Sequence, residues 1–128
     1  MRDGHLQVVT TIERREDAQR IARVLVESRL AACVQVLGPI ASTYRWQGKV
    51  ETAEEWQCSI KTRRDCYPAV EQAIRKLHPY EVPEIVALPI VAGGADYLAW
   101  LDEQVRGNDE GRMTNDEGGG KAALPLQG

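Results

Sequence analysis

Residues 31–61, AACVQVLGPIASTYRWQGKVETAEEWQCSIK, decide the fold. Over residues 54–61 the alternation puts Trp56, Cys58 and Ile60 on one side, the period-two mark of a strand with one buried face. Residues 31–37 (AACVQVL) are short and apolar and read as the partner strand. Gly38-Pro39 interrupts it. Proline removes a ladder donor and glycine often marks a bulge, so the chain bends here and need not leave the sheet. Residues 41–47 resume the strand, Gln47-Gly48 forms a hairpin tip, and Lys49-Val50-Glu51 begins the return. The segment predicts a long, protruding β-hairpin.

Upstream, residues 6–10 (LQVVT) read as a buried strand. Residues 15–28 read as a helix whose inner face is Ala18, Ile21, Ala22 and Leu25, with Arg14, Arg15, Arg20 and Arg23 mostly on a solvated stripe. Downstream, Thr62 and Asp65 are both suited to cap a second helix, and Pro68 suits its first turn. Val70, Ala73, Ile74 and Leu77 form its inner face, and His78-Pro79 ends it, because a residue before proline avoids helical backbone. Residues 85–91 (IVALPIV) predict a strand that Pro89 places at an edge or breaks with a bulge. After Gly93-Gly94, residues 96–105 predict a short helix with Leu98, Leu101 and Val105 inward.

The order is βαββαβ plus one helix, which predicts an α+β, ferredoxin-like sandwich with a long hairpin and an extra C-terminal helix. The folded unit spans residues 4–106. Residues 107–128 hold six of the 11 glycines and few apolar residues, and read as a flexible tail. One sheet face takes the two main helices. The other also carries apolar residues beyond the helices' reach, so association of copies into a closed ring is expected.

Bulk properties narrow the function. A chain of 128 residues suits one core. A net charge of -3 gives no basic excess for nucleic acid. No apolar run approaches the roughly 18–20 residues of a membrane span, and no signal peptide is read at the N-terminus. Three cysteines, an odd number without paired spacing, suit a reducing, cytoplasmic setting. With no Phe, three Trp and four Tyr supply all aromatic burial, which favours edges and interfaces.

Several segments together carry a resemblance. They are Ala31-Ala32-Cys33-Val34, Tyr44-Arg45-Trp46-Gln47-Gly48-Lys49-Val50-Glu51, Ile60-Lys61-Thr62, His78-Pro79-Tyr80-Glu81-Val82-Pro83-Glu84-Ile85 and Tyr97-Leu98-Ala99-Trp100-Leu101. In this order and spacing the chain resembles the CutA family of divalent-ion tolerance proteins. The likeness covers about residues 6–105. It implies a ferredoxin-like subunit in a stable trimer, with strands pairing across subunit edges and the hairpin reaching a neighbour. It also implies an architectural kinship with PII signalling proteins and a link to copper tolerance and copper binding. Gln35 departs from the family, which commonly has Asn there.

Copper(I) favours thiolate and imidazole. The chain has three thiols and two imidazoles, His5 and His78, with no CxxC or HxxH spacing, so a metal site has to be assembled in space. Cys33, His78 and Glu84 are the candidate copper ligands, with Glu81 nearby. The competing reading makes Cys33 a small buried hydrophobe and His78 a satisfied helix-terminal residue. Cys58, between Trp56 and Ile60 in the alternation, reads as core. Cys66 near a helix start is a candidate for a lowered pKa. Tyr44, Arg45, Trp46 and Lys49 at the hairpin, with Lys61, Tyr80 and Glu81, are candidate cleft residues for a small anion; Trp46 equally suits an interface anchor. No nucleophile elbow or phosphate loop occurs, and no enzymatic activity is expected.

Overall fold

The computed structural model describes residues 4–106. The proposed tail, residues 107–128, lies outside the described residues. Strand β1 (His5–Ile12) leads to helix α1 (Arg15–Glu27), then to β2 (Cys33–Trp46) and β3 (Lys49–Arg63). A single 3-10 turn (Arg64–Cys66) enters α2 (Tyr67–Leu77), followed by β4 (Ile85–Ile90) and α3 (Ala95–Gln104). The strands pair antiparallel in the order β2-β3-β1-β4. This is the α+β, ferredoxin-like arrangement with β2 and β4 at the edges.

The hairpin forms because β2 and β3 pair from Cys33↔Lys61 out to Trp46↔Lys49 and the tip fits a tight turn. Gln47 and Gly48 both take positive φ, 52° and 82°, the backbone of a two-residue hairpin loop. The expected interruption at Gly38-Pro39 is a register shift between Leu37 and Ile40 within one continuous strand. Gly38 is needed there, because a Cβ would stand 2.6 Å from the Trp56 ring. The same ring takes part in a cation–π contact, with the Arg15 guanidinium 5.5 Å from its centroid.

The core lies between one sheet face and the helices. Leu6, Val8 and Ile12 of β1 and Cys58 and Ile60 of β3 meet Ala18, Ile21 and Leu25 of α1 and Val70 and Ile74 of α2. These are the inner faces the spacing predicts. The expected side-chain caps of α2 are not made. Thr62 is still in β3, where its hydroxyl donates to the Leu30 carbonyl at 2.7 Å, and Asp65 pairs with Arg63. Thr62 is claimed by a distant carbonyl and Asp65 by a neighbouring guanidinium, so neither oxygen serves the helix end.

The second sheet face differs from expectation in one respect: the chain's own α3 reaches part of it. β4 ends opposite the start of β1 (His5↔Ile90), so the chain turns at Gly93-Gly94 beside that end of the sheet. Asp102 then accepts from His5 Nε2 at 2.9 Å, and the Tyr97 hydroxyl lies 3.3 Å from Cys33 Sγ. The rest of this face carries Gln7, Gln35, Ser59 and Lys61 at its centre, with exposed Val86 and Leu88 along the β4 edge.

Candidate functional site

Two groups of the predicted residues come together at the far end of β1. The turn after α2 folds across it. His78 Nε2 is 2.7 Å from the Thr11 carbonyl, and the Tyr80 backbone N–H donates to His78 Nδ1 at 3.2 Å. A carbonyl only accepts and an N–H only donates, so the pair fixes a neutral imidazole with its proton on Nε2. The Thr11 hydroxyl donates to Glu84 Oε1 at 3.2 Å. Tyr80 packs edge-on against the His78 ring, 4.6 Å between centroids, and its hydroxyl donates to Glu55 Oε2 at 2.7 Å. Burial first, then the Glu55 carboxylate, pushes the Tyr80 hydroxyl pKa well above its ordinary value, with Glu13 and Tyr44 adding in the same direction.

Cys33 stands elsewhere. It is paired across strands with Lys61, which in turn faces Gln7 on β1. Gln7 and Thr11 are four residues apart along a strand, about 13 Å at 3.3 Å per residue. Cys33 therefore lies at the opposite end of the sheet from His78 and Glu84, and a single chain does not assemble the predicted three-residue metal set. Its thiol meets the Tyr97 hydroxyl instead, whose pKa burial and then the thiol itself raise.

The predicted cleft residues also divide. Tyr80 stands at the end of β1, with Glu81 exposed on the same turn, whereas Tyr44 lies out on the β2–β3 arm opposite Glu51. Arg45, Trp46 and Lys49 lie at the hairpin tip, where Trp46 faces Lys49 across the strands. Lys61 belongs to the Cys33 end, its ammonium donating to Gln35 Oε1 at 3.3 Å. Gln35, the departure from the family pattern, thus makes a bond its longer side chain reaches. The remaining thiols are structural. Burial lifts the Cys58 thiol to about 11, and burial with the Asp65 charge lifts Cys66 to about 11. That reverses the lowered pKa expected for Cys66: its surroundings are apolar and anionic, with the Arg63 charge and a Thr62 hydrogen bond too weak to compensate.

Sequence reasoning missed Glu55 and Thr11. Glu55 is only 7% exposed. Nothing local marks it, because the turn that covers it comes from residues 78–84. Among the described residues, no three His, Cys, Asp or Glu side chains converge to hold a metal ion. His78 spends both ring nitrogens on Thr11 and Tyr80, so within one chain it has no lone pair left for a cation.

The profile of the CutA1 divalent ion tolerance protein family matches residues 6–104. The chain is 47% identical over 96 residues to the divalent-cation tolerance protein CutA of Thermus thermophilus, covering 75% of this chain and 93% of that one. It is 46% identical over 84 residues to the human protein CutA, covering 66% of this chain and 47% of the human one. It thus spans about half the human relative's length and nearly all of the bacterial one's. The crystal structure of CutA1 from Oryza sativa superposes with a TM-score of 0.79 at 37% identity, over 82% of this chain and 96% of that one.

Proposed function

This chain belongs to the CutA1 divalent ion tolerance family, and from that premise we propose that it acts in divalent-cation tolerance as a closed, copper-binding homotrimer rather than as an enzyme. The observation that carries this reading is the arm formed by β2 and β3. Beyond the bulge it exposes Tyr44, Trp46 and Val50, the last at 63%. Aromatic and apolar side chains on a projecting arm suit a partner surface. The β4 edge offers a matching row, Val86 and Leu88, beside unpaired strand backbone. Copies that lay their arms on one another and pair their edges cover both, and a closed ring leaves neither exposed.

Copper is the proposed cation because Cys33 supplies a soft donor on the second sheet face, at the margin of α3 beside Tyr97. Its thiol is half-buried, whereas Cys58 and Cys66 are enclosed in the core. All three thiols are unpaired, which supports a reducing, cytoplasmic setting. Catalysis has little support: the Cys33 thiol and the His78 imidazole, which a nucleophile–base pair would bring together, lie at opposite ends of the sheet.

Native mass spectrometry of the full chain with and without copper tests the proposal. The expected result is a three-copy mass that takes up copper, and a Cys33→Ser variant that keeps the three-copy mass and loses the metal. A folded monomer in sedimentation at micromolar concentration overturns the assembly. A rise in Tm with a small anion and no metal redirects the reading to a PII-like sensor.

A further inference from the structure

The turn over residues 78–84 raises a hydrogen-bonding problem. Pairing between β1 and β4 ends at the rung Thr10↔Ile85, so Thr11 lies one residue past the last rung. The chain running alongside it is His78-Pro79-Tyr80-Glu81-Val82-Pro83-Glu84, in which both prolines lack an N–H. The Thr11 carbonyl is buried and needs a donor.

We infer that the imidazole of His78 replaces the missing rung of the sheet, and that any cation this protein takes up is bound without it. Nε2–H serves Thr11 as a strand N–H would, and Nδ1 takes the Tyr80 N–H at the start of the turn. The ring is 8% exposed and closed off by Tyr80. A cation needs a free nitrogen lone pair. At Nδ1 it would displace the Tyr80 amide; at Nε2 it would displace the proton and leave the Thr11 carbonyl unpaired. The first route strips the part-buried Tyr80 amide of its acceptor, and the second strips the buried Thr11 carbonyl of its donor. His78 is therefore a positioning residue for the turn that carries Tyr80, Glu81 and Glu84.

Long-range proton–nitrogen NMR of the full chain, with zinc as a diamagnetic probe, tests this. His78 is expected to show a protonated Nε2 and an accepting Nδ1, both unchanged at several-fold excess zinc. Loss of the Nε2 proton, or a shift of either nitrogen on adding zinc, overturns the inference. Two variants give an independent readout. His78→Gln places an amide donor near Nε2 and is expected to stay folded with wild-type copper stoichiometry. His78→Ala is expected to speed exchange of the Tyr80 amide at least tenfold. A folded His78→Gln protein that loses copper makes the imidazole a ligand and overturns the inference. The NMR result is read on one chain, so a monomeric protein would end the trimer proposal and leave this one standing.

Discussion

The Tyr80 hydroxyl donates to the Glu55 carboxylate across 2.7 Å, tying the turn after α2 to the base of the β2–β3 arm. Glu55 is buried at 7% exposure and sits at the point where β3 leaves its pairing with β1 (Ile12↔Trp56). Removing the donor leaves a buried carboxylate short of a partner. Tyr80→Phe is expected to lower stability by about 1–3 kcal/mol. A double-mutant cycle with Glu55→Gln, read from urea midpoints, should show the two changes to be non-additive, the second costing less once the first is made.

Alkaline pH should weaken the fold through its enclosed thiols. Cys58 and Cys66 are pushed from an ordinary 9.0 up to about 11, chiefly by burial. The folded-state values are raised, so the stabilisation is complete below pH 9 and is lost as pH climbs toward 11. Across that window the unfolded chain has released protons the folded chain still holds. Each such thiol adds up to about 1.4 kcal/mol of lost stability per pH unit. Denaturation curves between pH 8 and 11 should show the slope flattened in Cys58→Ala relative to wild type, whatever the variant's stability at neutral pH.

The parts of this structure that were legible in the sequence depend on local periodicity. The alternation Trp56, Cys58, Ile60 and the helical spacing of Ile21 and Leu25 each name a buried face, and each such residue is buried or packed on the core. The turn at Gln47-Gly48 was legible because the tip needs positive φ. The capping roles given to Thr62 and Asp65 failed because the partners that claim those oxygens, Leu30 and Arg63, are fixed by tertiary packing and the path out of β3. The same limit governs the site. That Cys33 and His78 occupy opposite ends of the sheet is a fact of strand register, and no motif spacing encodes it. Burial of Glu55 depends on a turn contributed by another part of the chain.

One core polar atom invites improvement. Thr10 is fully buried beside Cys58 and Ile85 in the ladder, and its Oγ1 has no hydrogen-bond partner. The hydroxyl has lost its water without gaining a replacement. Thr10→Val keeps the branched shape and removes the unpaired group, so it is expected to raise stability by about 1 kcal/mol. Thermal unfolding would register this as a higher Tm; an unchanged or lower Tm would mean the hydroxyl is satisfied in solution.

The junction between β3 and α3 rests on an enclosed ion pair. Arg63 Nε and Nη2 donate to the two Asp65 oxygens at 3.0 and 3.1 Å, with side chains only 12% and 9% exposed. The same guanidinium reaches the Asp102 and Arg106 carbonyls at 3.5 Å, so it also braces the end of α3. Arg29 holds that helix from another side through the Glu103 and Gln104 carbonyls. Asp65→Asn keeps the size of the partner and removes its charge, leaving a poorly hydrated cation in place. The expected cost is about 3–5 kcal/mol, the range for breaking an enclosed pair from one side. Replacing both residues with apolar ones of similar volume should cost less, because no charge is then stranded. Hydrogen exchange separates the local effect from the global one: amides at the C-terminal end of α3 should lose protection in Asp65→Asn at denaturant concentrations where the β1 and β3 amides keep theirs.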